Sequence, residues 1–391
     1  MPREVWLLGL VSLFMDLSSE MIHGLLPLFM VGTLGASVAV VGWIDGVARA
    51  LAVIVKVFSG VVSDWFGRRK ALAVLGYGLG ALSKPIFALA PSVLFIVVAR
   101  VLDRFGKGIR GAPRDALIAD VTPDAVRGSA YGLRQSLDAI GAFAGPLLAV
   151  GLMLLWANDF RAVFWVAVIP AVISVTLLQV FLKEPRRAPA SKRSNPIRWS
   201  EFRRLPKAYW FVLGLASVVM LARFSDSFLL LRAEQGPLPL AWVPLILVAM
   251  NACYSLSSYP AGRLSDRIGI GALLVPSLVA LLAANLVLAA GTSYVIVVSG
   301  AALWGLHLGL SQGVLAALVS KSAPDNLRGT AFGVFSCATG ISLLIASAVA
   351  GMLWERSGPA ATFGFGSLVC TLAICMTIAA RRMAVRWGFP L

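Results

Sequence analysis

Asp16, Glu20 and His23 stand at i, i+4 and i+7 of an otherwise apolar stretch, so on a helix all three share one face. Asp45, Arg49 and Lys56 repeat the arrangement further on, at 0°, about 40° and about 20° around a 3.6-residue helix. Arg100, Asp103, Arg104, Lys107, Arg110 and Arg114 crowd into about a third of a helix circumference. Arg134 and Asp138 form an i, i+4 pair, Arg223 and Asp226 lie together in a later apolar stretch, and His307 has no charged neighbour in sequence. An ionisable side chain inside hydrocarbon costs about 2.5–3.5 kcal/mol on insertion scales, so these groups are expected to face a cavity or a partner.

Three chemistries suit them. Carboxyls in a partly dry setting can load a proton on one side and release it on the other, a role open to Asp16, Glu20 and Asp226, with Arg134 and Asp138 exchanging partners. Basic residues can instead attract an anion; Arg49, Lys56, Arg104 and Lys107, joined by His23, are the candidate polar contacts. Phe14, Trp43, Phe228 and Trp304 are candidate apolar walls. The third chemistry is structural, fixed ion pairs near a membrane edge, and is the expectation for Arg110, Arg114 and Asp115. Asp16, Glu20 and His23 with Asp226 also make a mixed N/O set for a divalent cation. With two histidines in the chain and no cysteine beside them, no metal site is expected.

The elements that must position these groups are helices. The chain has 391 residues, 59% hydrophobic and 13% charged, against about 25% charged in soluble proteins. Continuous apolar runs of about 20 residues recur, long enough to cross a bilayer as helices and not alternating as barrel strands would. Twelve spans are expected, near 5–32, 38–62, 71–90, 92–112, 129–155, 161–182, 209–231, 241–262, 272–290, 293–319, 329–354 and 360–380. The first run is too long, and starts too early, for a cleavable signal. The formal charge of +16 is concentrated in alternate loops: Arg68, Arg69, Lys70, Arg127, the stretch 183–207, Arg263, Arg267, Lys321 and Arg328 on one side, and little beyond Arg161, Arg232 and Arg356 on the other. The positive-inside rule places the first set, and both termini, in the cytoplasm. The charge therefore reads as topology and not as nucleic-acid binding. Lys183 to Lys207 is a basic linker, in which Ile197, Trp199, Phe202 and Leu205 recur at helical intervals among arginines, as in a short surface helix. The domains expected are a six-helix bundle over 1–182, a linker over 183–208 and a second bundle over 209–391. The four cysteines lie singly in apolar stretches, and no Gly-x-x-x-x-Gly-Lys-[Ser/Thr] loop for ATP is present.

A short turn is written twice. Gly60-Val61-Val62-Ser63-Asp64-Trp65-Phe66-Gly67-Arg68-Arg69 matches Gly262-Arg263-Leu264-Ser265-Asp266-Arg267-Ile268-Gly269 at an offset of 262 − 60 = 202. Pro123-Asp124-Ala125-Val126-Arg127-Gly128 matches Pro324-Asp325-Asn326-Leu327-Arg328-Gly329 at 324 − 123 = 201. The chain is thus two copies of one membrane unit, an organisation that many transporters share. The copies agree in glycines and differ in charge: at the 201 offset Asp103 maps onto Trp304, Arg110 onto Ser311 and Arg134 onto Phe335.

The first turn resembles the loop signature between the second and third helices of the major facilitator superfamily. It departs at Trp65, where the family often has a basic residue, and the second copy has Ile270 and Gly271 in place of paired arginines. Gly141-Ala142-Phe143-Ala144-Gly145-Pro146 resembles the start of that family's antiporter motif, with Ala149 where its last glycine would stand. The resemblance implies that Gly60, Asp64, Gly67, Arg68, Arg69, Gly145, Pro146 and Asp266 serve gating, with Asp64 and the arginine pair stabilising an outward-open state. It also places Arg100 near the family's span-four arginine, implicated in proton coupling.

The expected fold is an all-α membrane protein of twelve transmembrane helices in two pseudo-symmetric six-helix bundles. The function it implies is a secondary active transporter of the bacterial inner membrane, a monomer without cofactor. It would export a small organic solute, anionic or metal-chelating, by alternating access coupled to protons. A broad-specificity drug/proton antiporter or a proton-coupled importer is the alternative; a transition-metal transporter or a membrane-embedded enzyme would need ligand or nucleophile constellations that the sequence lacks.

Overall fold

A computed structural model describes residues 1–66, 69–123, 126–182, 205–268, 270–311, 314–324 and 327–387. Among them the backbone is helical, without strands. Hydrocarbon offers no hydrogen bonds, so each crossing segment must satisfy its own N–H and C=O groups, and a helix does this internally. The helices are α1 (Arg3–His23), α2 (Leu26–Leu28), α3 (Val38–Phe66), α4 (Arg69–Leu89), α5 (Val93–Val121), α6 (Arg127–Leu155), α7 (Phe160–Phe181) and α8 (Lys207–Ala222), then α9 (Ser227–Glu234), α10 (Leu245–Ile268), α11 (Leu274–Ala290), α12 (Tyr294–Ser311), α13 (Val314–Ser322), α14 (Arg328–Ser357) and α15 (Pro359–Trp387).

Ten helical stretches among the described residues are long and apolar enough to cross a membrane. The other two expected spans fall on α11, which has 17 residues, and on α5, which has 29 but carries the dense charge of the 100–115 region. The linker and its amphipathic stretch lie outside the described residues, apart from Leu205 and Pro206.

Two spans are not simple rods. The first bends after α1: Gly24 N–H reaches the Glu20 carbonyl and Leu25 N–H that of Ile22. Pro27, which has no N–H to give, lies in α2, and a π turn over Phe29–Thr33 follows. The seventh, read from sequence as one helix over 209–231, is two. Arg223 leaves the helical region at φ −112°, ψ 76°, and the Ser225 N–H turns to the Ser347 hydroxyl, 3.2 Å away.

The chain forms two compact units. One contains α1, α2, α3 from Val47, α4 to α7 and the turn Leu240–Trp242; the other contains Ser37–Gly46, α8, α9 and the chain from Ile246. In the first, α4 lies against α5 and α7, and α1 against α6 and α7, around a core that includes Leu8, Met15, Tyr77, Leu117 and Leu178. The α4 C-terminus is closed by Arg161, which donates to the carbonyls of Ala88 (2.9 Å) and Ala90 (2.7 Å). In the second, α11 lies against α12 and α15, and α8 against α14 and α15. There the Tyr209 hydroxyl, in a core with Val212, Leu278 and Val319, donates to the Ala331 carbonyl at 2.9 Å.

Candidate functional site

Most of the ionisable groups singled out from the sequence meet inside the first unit. Two close helix crossings bring them together. Where α4 meets α5, a side chain at Gly76 would put its Cβ 2.7 Å from the Arg110 nitrogen and from the Gly106 carbonyl. Where α6 meets α1, a Cβ at Gly145 would lie 2.8 Å from the Glu20 Cβ and 2.9 Å from the Leu17 carbonyl. Only a glycine allows backbones this near. Gly145 and Pro146 are buried in α6, which runs on unbroken to Leu155.

Lys84, midway along α4, is the hub of the network and is 1% exposed. Its ammonium donates to Asp103 Oδ1 at 2.8 Å and to the Ser19 hydroxyl of α1 at 3.0 Å. The other Asp103 oxygen faces Arg104 Nε at 3.3 Å. One lysine thus ties α4, α5 and α1 in a setting where each ion must find partners to offset lost hydration. The sequence reading passed over Lys84; the available signal was that it is the sole Asp, Glu, Lys or Arg of the expected span 71–90.

Asp16 is half-buried and pairs with Arg110 at 3.8 Å, while the Arg110 guanidinium covers the Tyr77 ring, 4.7 Å from its centre. Arg110 is 3% exposed, an interior cation bridging α5 to α1. Glu20 is also half-buried, and it and Asp16 lie within electrostatic reach of Lys107, as Glu20 does of Arg104. His23 is buried, within electrostatic reach of Arg100, Arg104, Arg49 and Lys107. Farther along α5, Arg114 reaches Asp115 at 3.2 Å and the Ser12 hydroxyl at 3.1 Å, and Ser12 meets the Tyr77 hydroxyl at 3.0 Å. Arg134 joins Asp138 (2.9 Å) and Asp115 (3.4 Å), so the i, i+4 pair on α6 is linked to α5.

Asp226, Phe228 and Trp304 belong to the second unit. Phe228 and Trp304 are fully enclosed, packed with Phe224 at ring separations of 5.4 Å and 5.3 Å. Asp226 is half-buried at the start of α9. Beside the break between α8 and α9, Asp45 is 1% exposed and accepts from the hydroxyls of Ser225, at 2.8 Å, and Ser227. Neither serine was singled out in the sequence. His307 is buried, its Nδ1 2.8 Å from the Ser277 carbonyl. Among the described residues no three His, Cys, Asp or Glu side chains converge as a metal site would require.

Of the gating candidates, Arg69 pairs with Asp120 at 2.7 Å and donates to the Ala116 carbonyl at 3.0 Å, joining the start of α4 to the end of α5. Gly60 and Asp64 lie in the last turns of α3 and Asp266 in α10, with their side chains outside the description; Gly67 and Arg68 are outside the described residues.

The family model of the Major Facilitator Superfamily matches residues 8–246 and 237–387. An uncharacterized MFS-type transporter of Methanocaldococcus jannaschii is 31% identical over 381 residues, which cover 95% of this chain and 94% of the relative. A probable 4-methylmuconolactone transporter of Cupriavidus pinatubonensis is 28% identical over 378 residues, 90% of this chain and 83% of the relative. The crystal structure of a mutant of the nucleoside transporter NupG aligns with a TM-score of 0.79 at 15% identity, over 97% of this chain and 99% of that one, a likeness of fold.

Proposed function

The chain belongs to the Major Facilitator Superfamily, and from that premise we propose a proton-coupled exporter of a small organic anion, working by alternating access in the bacterial inner membrane. The observation that supports it best is the meeting of α1 carboxylates with α5 cations inside the first unit: Asp16 beside Arg110, and Glu20 within electrostatic reach of Arg104 and Lys107. Carboxylates placed against cations can trade a proton for an anionic solute, because either event changes the same local charge.

In this reading Glu20 and Asp16 carry the coupled proton, with Asp226 as a further carrier in the second unit. Arg100 and the Arg134–Asp138 pair adjust to their charge. His23, Arg49, Arg104 and Lys107 contact the solute. Asp64, Arg68, Arg69 and Asp266 gate the cycle together with the glycines Gly60 and Gly67, and Gly145 and Pro146 carry the α1–α6 crossing that export requires. Twelve spans with both termini in the cytoplasm, bundles over 1–182 and 209–391, and a monomeric state complete the proposal.

The test is flux in liposomes. The protein should move a solute found by thermal-shift screening when a pH gradient is imposed. Glu20→Gln and Asp226→Asn should each abolish gradient-driven flux while the protein still folds. Undiminished gradient-driven flux in both variants would refute the proton assignment.

A further inference from the structure

We propose that Lys84 is the positioning residue for proton exchange at Glu20, acting by keeping the Arg104 guanidinium turned to that carboxylate; this rests on reading Glu20 as a carrier of the coupled proton. Lys84 has two acceptors, and each stands next in sequence to a member of the Glu20–Arg104 pair. Ser19, at 3.0 Å, precedes Glu20 on α1, and Asp103, at 2.8 Å, precedes Arg104 on α5. Glu20 and Arg104 are within electrostatic reach of each other. One ammonium on a third helix, itself 1% exposed, therefore holds both sides of the pair. Ser19 is 6% exposed and Asp103 3%, so water competes little for either bond.

The division of Asp103 between two cations shows how the hold works. Its Oδ1 takes a hydrogen bond from Lys84, whereas Arg104 Nε faces the other oxygen at 3.3 Å without forming one. A carboxylate with both oxygens open takes an arginine bidentately, through two parallel N–H groups. Lys84 denies Asp103 that geometry. Arg104 is then held by charge alone, and its terminal N–H groups remain for ionised Glu20. When Glu20 takes up its proton, the same groups pass to the anionic solute. Without the ammonium, Asp103 would draw the guanidinium to itself and Glu20 would lose a neighbouring cation.

The other charged groups around Glu20 are Lys107 on α5, Asp16 and His23 on its own helix, and Arg49 and Arg100, which reach His23. At the α1–α6 crossing, α6 presents Gly145 to Glu20, with Arg134 and Asp138 farther back along it. The one charge on α7, Arg161, is spent on the end of α4. Lys84 donates to none of these groups, so its influence on Glu20 runs through Ser19 and through Asp103 to Arg104.

The experiment titrates the full-length protein in lipid vesicles and follows the infrared stretch of protonated carboxyl groups. Subtracting the same titration of each variant with Glu20→Gln added leaves the Glu20 midpoint, and no solute is required. Taking a cation from a carboxylate favours the protonated form, so Lys84→Met should move that midpoint to higher pH by about one pH unit. Asp103→Asn keeps an acceptor for Lys84 while releasing Arg104, and should move it the other way. In an Arg104→Gln background the Asp103→Asn shift should fall below half its size, because the effect travels through Arg104. Where Lys84→Met does not fold, the Asp103→Asn titrations with and without Arg104→Gln carry the reading. Midpoints that stay in place in both single variants, or that move the same way, would overturn the proposal. A shift undiminished by Arg104→Gln would assign the effect to bare charge and overturn it as well. A Glu20 midpoint that responds as expected, in a protein without pH-driven flux, would sink the proton-coupling reading alone. Glu20-dependent coupled flux with a midpoint indifferent to Lys84 and Asp103 would sink the positioning role alone, and a Glu20 band that does not titrate would sink both.

Discussion

Lys84→Met is the most informative single perturbation of the interior. The ammonium is 1% exposed and its partner Asp103 3%, so solvent does little to soften the loss. Breaking a buried pair by removing one partner costs about 3–5 kcal/mol, because a charge is left uncompensated. Here Asp103 keeps Arg104 at 3.3 Å, which places the expected loss near the lower end, about 3 kcal/mol. The Ser19 hydroxyl also loses its donor, adding about 0.5–1.5 kcal/mol. Asp103→Leu alone should cost a similar amount by stranding Lys84. The double variant Lys84→Met/Asp103→Leu should be less damaging than the sum of the two, with a coupling energy of about 2–3 kcal/mol, within the range seen for contacting residues. Reversible unfolding in mixed micelles, followed by tryptophan fluorescence, measures all four corners of the cycle. Additive single effects, or a Lys84→Met loss below about 0.5 kcal/mol as at an exposed pair, would refute the claim that this contact organises the α1–α4–α5 junction.

Gly145→Val should destabilise by about 1–3 kcal/mol through overpacking, since its Cβ would meet Glu20 and Leu17. Gly151→Ala on the same helix has nothing within 4 Å of the new carbon, and its melting curve should match or slightly exceed the parent. Asp45→Ala removes the acceptor that the Ser227 hydroxyl uses and the nearer of two that Ser225 reaches, Asp226 Oδ1 lying at 3.5 Å, a loss of about 1–3 kcal/mol for buried polar groups; Asp45→Asn keeps an acceptor and should recover most of it in the same unfolding assay. Equal damage from Asp45→Ala and Asp45→Asn would assign the effect to charge and not to the hydroxyl bonds.

Several elements could be read directly because their signal is local. Asp16, Glu20 and His23 share a face by spacing alone, and the Arg134–Asp138 pair follows from an i, i+4 register that the structure closes at 2.9 Å. The break between α8 and α9 was not readable in this way. No proline or glycine marks Arg223 to Asp226, and the helix opens where a distant serine, Ser347, takes the Ser225 N–H. Arg110 was expected in an edge pair on the strength of its position along α5. Its burial against Tyr77 and Asp16 depends on α4 and α1 closing over it, which nothing in its own helix specifies.

By itself the sequence determined the membrane class, the location of most spans, the doubled turn and the uneven division of charge between the copies. Each follows from composition or from a period along one chain, and hydrocarbon admits few backbone solutions for such runs. Only the tertiary structure decided which charges neutralise which. Lys84 and Asp103 are 19 residues apart on different helices, and Ser227 and Asp45 are separated by 182. A spanning helix presents several faces, and which face meets which neighbour is set by the packing of glycines and bulky side chains across helices, not by any single period.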